Sequence, residues 1–237
     1  MLVVVRGARA VVVAASLACA AGCGGAGDSD PVARMTEALG GHAAINRLES
    51  LSAAADCAGP GGHFRTWVES LRPGSVHFRQ SDGTDSVAVW STPDSTWLSN
   101  GGDVVAGDER VRAFVRGHEF HMQLFEAETR FSGRTVAGSD TVDGHTCTLV
   151  TMKDEGGDPA LLLLDQKSAL PRMLELNPPG AAGPVRVYFD DWRRVGNLLC
   201  FFSFRMTEGP ERTFSYRYTE IVPNRVAPET FATREFR

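Results

Sequence analysis

The sequence predicts a mainly β (α+β) fold in which one antiparallel sheet curls around a single interior. Three observations carry this. From residue 52 onward apolar residues recur with period two, in about a dozen short runs separated by Gly-, Pro- and Asp-rich turns. The links between runs are too short for helical crossovers, so neighbouring strands run antiparallel. Three late runs carry wholly apolar faces: Val185, Val187 and Phe189; then Leu198, Cys200, Phe202, Phe204 and Met206; then Phe214, Tyr216 and Tyr218. Neighbouring faces of that kind need a large shared interior.

In chain order, Arg6 and Arg9 precede the apolar run Ala10 to Ala18, and Ala20-Ala21-Gly22 leads into Cys23. A basic flank, a short apolar core and small residues make a secretory signal peptide over 1–22. Residues 23–30, a cysteine followed by Gly-Gly-Ala-Gly-Asp-Ser-Asp, read as a flexible tether. The domain then spans 31–237. Asp30-Pro31 opens a helical section with a cap and a proline at the first helical position. Val32, Met35 and Leu39 keep helical spacing, Gly40-Gly41 interrupts it, and Ile45, Leu48 and Leu51 resume it.

Strands follow at roughly 52–57, 63–70, 75–80, 85–91 and 95–98. A second helix is expected over 108–127, with Val111, Phe114, Val115, Met122 and Phe125 as its apolar stripe. Strands resume at about 130–137, 145–152, 160–165, 171–176, 185–191, 198–206 and 211–221. The helices near 31–50 and 108–127 are expected to pack against the opening of the curled sheet.

Composition removes several classes of function. The net charge is −5, and the leader contributes only arginines, so the remainder is more acidic still. An acidic chain without a basic stripe is not built for nucleic acid. No segment after the leader has the apolar length of a membrane-spanning helix. Cys57, Cys147 and Cys200 are an odd set whose spacing dictates no pairing, and the last two stand in apolar runs as small buried side chains.

The candidate chemical motifs are weak. His118 and His121 share a helix face but lack the zinc-protease spacing, because position 122 is Met. Asp82-Gly83-Thr84 reads as a hairpin turn. Asp190 and Asp191 are adjacent on a strand and point to opposite faces, so they form no catalytic dyad. No nucleophile elbow or phosphate loop occurs. The sequence therefore reads as non-enzymatic, without cofactor or metal.

Ala38-Leu39-Gly40-Gly41, Ile45 to Leu51, Trp67, Val142-Asp143-Gly144-His145-Thr146-Cys147, Leu161 to Asp165, Ala169-Leu170-Pro171-Arg172 and Phe189-Asp190-Asp191-Trp192 stand in a telling order. That order resembles the outer-membrane lipoprotein carrier and receptor group, the LolA/LolB-like proteins, and especially their lipoprotein-sorting relatives. The resemblance implies an incomplete, strongly curved antiparallel barrel with helices across its mouth and an apolar interior that accepts acyl chains. Leu198, Phe202, Phe204, Met206, Phe214, Tyr216 and Tyr218 are then the candidate ligand-lining residues. A filled core would give the same alternation and would suit a lipoprotein that binds a partner protein.

The small residues before Cys23 are similar to a lipobox, which makes Cys23 the lipidated residue and the membrane a partner through that anchor. The soluble carrier has no such anchor, which favours the receptor or an independent lipoprotein. Gly24 in place of aspartate favours the outer membrane, facing the periplasm.

Overall fold

The computed structural model describes residues 30–178, 183–209 and 212–232. The signal peptide, Cys23 and most of the tether lie outside the described residues. Two helices come first, α1 (Pro31–Ala38) and α2 (His42–Asn46). The Asp30 carboxylate caps α1 by accepting from the Val32 N–H at 3.0 Å. Val32, Met35 and Leu39 are buried on one stripe, as their spacing predicts. Between the helices the chain passes against the β-hairpin turn at Asn197. A Cβ at Gly40 (φ +135°) would stand 2.5 Å from the Asn197 carbonyl oxygen, so only glycine fits there.

Six strands follow: β1 (Ser50–Gly59), β2 (Gly62–Leu71), β3 (Ser75–Ser81), β4 (Ser86–Ser91), β5 (Thr96–Ser99) and β6 (Val104–Ala106). The helices α3 (Glu109–Gly117), α4 (Phe120–Phe125) and α5 (Ala127–Arg130) come next. Seven strands complete the sheet: β7 (Ser132–Val142), β8 (His145–Lys153), β9 (Pro159–Asp165), β10 (Pro171–Leu176), β11 (Val185–Val195), β12 (Leu198–Glu208) and β13 (Arg212–Pro223). A last short helix, α6 (Glu229–Ala232), ends the described chain.

All thirteen strands join one antiparallel sheet in the order β6-β5-β4-β3-β2-β1-β13-β12-β11-β10-β9-β8-β7. β1 and β13 lie at its middle, and β6 and β7 are its free edges. The sheet curls without closing. The segment α3–α5 connects one edge to the other, so the helices cross the gap that a closed barrel would fill. Asn224 ties the two middle strands together: its Oδ1 accepts from the Glu49 and Ser50 N–H groups at 2.8 and 3.3 Å.

Three local expectations are corrected. The helix expected over 108–127 is three helices, broken at His118-Glu119 and at Glu126. The helical section expected to run to residue 50 ends at Asn46, and β1 begins at Ser50. The short strand β6 was not expected, since three residues are too few to show a period.

The interior is largely filled. Every residue of α4 is buried, and Phe120, Met122, Leu124 and Phe125 join the inward faces of β1 and β8–β13 in one core. Val115 of α3 packs on Val76, Phe78 and Val89 of β3 and β4. The run Leu161–Leu164 of β9 is apolar on both faces because both are covered: Leu162 and Leu164 face the main core, while Leu163 packs with Val142, Cys147 and Met173.

A buried ionic chain fixes the helices to the sheet. Glu119 accepts from Arg116 at 2.9 Å and from Arg130 at 3.3 Å. Arg130 also bonds Glu126 at 2.7 Å, and Glu126 pairs with Arg72. Arg72 in turn donates to the carbonyls of Ile45, in α2, and of Leu48 just beyond it. Burial raises the Glu119 carboxyl above the usual carboxylate range, and the two guanidinium groups oppose that rise.

Candidate functional site: a cavity at the open end of the sheet

The apolar alternation of β12 and β13 points its side chains into the curl, and one end of that interior stays open. There a cavity of about 710 Å³ lies between α3 and the turn ends of β2 and β10–β13. Phe64, Phe114, Phe120, Met206, Phe214 and Tyr216 form its apolar wall. Phe64 meets Phe214 and Tyr216 edge-on, with centroids 6.4 and 5.9 Å apart. Behind the wall, Phe204 stacks on Tyr216 at 4.2 Å and meets Phe120 at 5.0 Å. Phe114 is 48% exposed at the edge of this wall. Arg110, Arg212, Glu208, Asp82 and Gln80 supply the polar part of the lining.

The residues singled out in the sequence divide into three sets. Met206, Phe214 and Tyr216 line the cavity. Leu198, Phe204 and Tyr218 are buried in the packed core. Phe202 is only partly buried, beneath the Arg193 guanidinium at 4.7 Å from the ring centroid. Its neighbour Phe201 is fully buried instead. The switch falls where β11 and β12 lose one pair: the register runs from Asp190↔Ser203 to Trp192↔Phe201 without an Asp191–Phe202 pair, and Asp191 takes φ 56°. Strict alternation fails at that irregularity.

Phe64, Phe120 and Leu176 were not singled out, although they line the cavity. Their signal is weak, because each stands on a separate element and only the curl brings them together. Phe114 and Val185, expected on a helix stripe and a strand face, both line the cavity.

The two histidines of α3–α4 are engaged separately. His118 Nδ1 donates to the Phe114 carbonyl at 2.7 Å. His121 Nε2 donates to the Phe201 carbonyl at 3.1 Å, and its ring stacks on Phe201 with centroids 3.8 Å apart. Among the described residues no group of three His, Cys, Asp or Glu side chains converges on one point. Cys57, Cys147 and Cys200 are buried free thiols, and burial pushes Cys57 up to about 11 and Cys200 up to about 12. No helix among the described residues is long and apolar enough to cross a membrane.

Burial pushes the His121 imidazole down to about 3 from an ordinary 6.5. The neutral ring is thus the form the fold accepts. Its contribution to stability is complete above pH 6.5 and is lost as pH falls toward 3. The urea midpoint is therefore expected to drop between pH 7 and pH 4. A His121→Phe variant should show a shallower drop, the remainder coming from groups such as His118, which burial also lowers; an unchanged slope would contradict the assignment.

The opposite, outer face carries a polar trough of about 530 Å³ across β11, β12, β13 and β1, with Tyr188, Asp190, Arg205 and Arg217 among its lining residues.

The fold recurs in solved structures. A DUF1329 family protein from Desulfovibrio piger superposes with a TM-score of 0.57 at 11% identity, over 87% of this chain and 98% of that one. A domain named as an outer membrane lipoprotein-sorting protein, from Vibrio parahaemolyticus, gives 0.56 at 11% identity, over 84% and 95%. A LolA superfamily protein from Nitrosomonas europaea gives 0.52 at 10% identity, over 90% of this chain and 100% of that one. The chain has the LolA-like fold. No protein-family model matches it, and neither does any curated protein sequence. Within the LolA-like fold of this chain, α4 fills the inner part of the curl and the cavity occupies the end that α4 leaves free.

Proposed function

We propose that the protein is a non-catalytic lipoprotein of the cell envelope that holds an apolar ligand, the acyl chain of a lipid or lipoprotein, in the cavity beside α3. The domain 31–237 is then tethered by residues 23–30 to a lipid on Cys23, in the outer membrane facing the periplasm, after removal of 1–22. The observation that carries the reading is the 710 Å³ cavity walled by aromatic and aliphatic side chains. Its size is that of a small-molecule site. Burying an acyl chain there contributes about 0.8 kcal/mol per methylene, so binding needs no strong polar contact.

Mass spectrometry of lipids released from the protein purified from membranes tests this. A stoichiometric acyl-containing species is expected. A lipid-free protein that binds no lipid probe would instead favour a lipoprotein that acts by binding a partner protein, a reading that the packing around α4 also suits.

The anchor has its own test. Cys23→Ala is expected to abolish labelling by an alkyne fatty-acid analogue and to move the protein from the membrane to the soluble fraction. Unchanged labelling would remove Cys23 as the anchor.

A further inference from the structure

We infer that the cavity takes a single acyl chain with an anionic head, and that Arg110 receives the head; this rests on the acyl-binding reading above. Volume limits the number of chains. A methylene occupies about as much room as a water molecule, roughly 30 Å³, so a sixteen-carbon chain needs roughly 500 Å³ and three need roughly 1,400 Å³. The cavity holds about 710 Å³. One chain fits inside it, whereas the several chains of a mature lipoprotein terminus would have to lie largely outside.

Charge on the rim selects the head. Arg212 is already paired with Glu208 at 2.9 Å and lies over the Phe214 ring. The Asp82 carboxylate is held in its turn by the N–H groups of Thr84 and Asp85, both at 2.8 Å. His118 is bonded to the Phe114 carbonyl. Arg110 is exposed and lines the cavity; its backbone N–H donates to the Asp108 cap, and its guanidinium has no hydrogen-bond or ion-pair partner among the described residues. It stands four residues before Phe114 on α3, so the two share one side of the helix. A chain lying over the exposed Phe114 ring brings its head to that guanidinium. The fork of the guanidinium matches the oxygen pairs of a carboxylate or a phosphate.

The test is displacement of a fluorescent fatty acid, cis-parinarate, from the full-length chain held in amphipol without detergent. Competitors are palmitate, palmitoyl-lysophosphatidylglycerol, hexadecanol and a triacylated lipopeptide. At least one of the two anionic amphiphiles is expected to displace the probe at a fivefold or lower concentration than hexadecanol, and the better of them tells carboxylate from phosphate. Arg110→Gln should abolish that preference while leaving hexadecanol unchanged, and the lipopeptide should not compete. Equal displacement by hexadecanol, or an unaffected Arg110→Gln variant, would overturn the role of Arg110. Competition by the lipopeptide would overturn the single-chain limit. Failure of the probe to bind at all would overturn the acyl-binding reading itself, an outcome distinct from the other two.

Discussion

Phe201→Ala is expected to destabilise the protein by about 3–5 kcal/mol, the usual cost of emptying a fully buried aromatic site. Phe201 is completely buried and is the ring on which the inner part of the core converges. His121 stacks on it at 3.8 Å, Phe189 approaches at 4.8 Å, and Trp192 and Tyr218 both meet it at 5.6 Å. These neighbours come from α4, β11 and β13, so no single element can relax to close the gap. Phe202→Ala serves as the paired control. That side chain is only partly buried, under Arg193, and should cost well under half as much. Urea denaturation of both variants checks the result. Equal losses, or a larger loss at Phe202, would show that strict alternation and not the observed irregularity sets the core.

Glu119→Ala is expected to cost a similar amount, about 3–5 kcal/mol, for a different reason. The Glu119 side chain is only 2% exposed and that of Arg130 only 6%. Removing the carboxylate leaves the Arg130 guanidinium buried with Glu126 as its remaining ion-pair partner, and Arg116 with Glu155 at the surface. The penalty comes from leaving the buried Arg130 with one carboxylate partner in place of two, so it should be recoverable. Glu119→Leu combined with Arg130→Met removes both charges, and most of the lost stability should return. A double variant as unstable as the sum of the single ones would mean that the pair acts through shape and not through charge. Because the ionic chain joins α3–α5 to Arg72 and the end of α2, its loss should also loosen the helices that border the cavity.

Much of this architecture was legible because the curled sheet is antiparallel and its hairpins are local. Period-two patterning located twelve of the thirteen strands, and Asp30-Pro31 and Gly40-Gly41 marked the first helix correctly at both ends. What escaped depended on distant contacts. The break at His118-Glu119 follows Gly117, but apolar spacing on both sides suggested one continuous helix. Nothing local announces that Asp191 takes a left-handed backbone, or that beside it, where β11 and β12 lack one pair, Phe201 and not Phe202 is buried.

The site was legible only in part for the same reason. Met206, Phe214 and Tyr216 belong to adjacent strands whose alternation can be read directly. Phe64 and Phe120 reach the same space from a strand beyond β1 and from a helix inserted into the curl. How far α4 fills the interior is a matter of tertiary packing, and alternation alone does not distinguish a lined cavity from a packed core.

The central claim, that an acyl chain lies in the cavity beside α3, is tested most directly by photo-crosslinking with a diazirine-bearing palmitate and mapping the modified peptides. The account predicts saturable adducts on the peptides carrying Phe64, Phe114, Met206 and Phe214, all suppressed by unlabelled palmitate. Adducts confined to the outer face around Tyr188 and Arg217, or none that saturate, would contradict it.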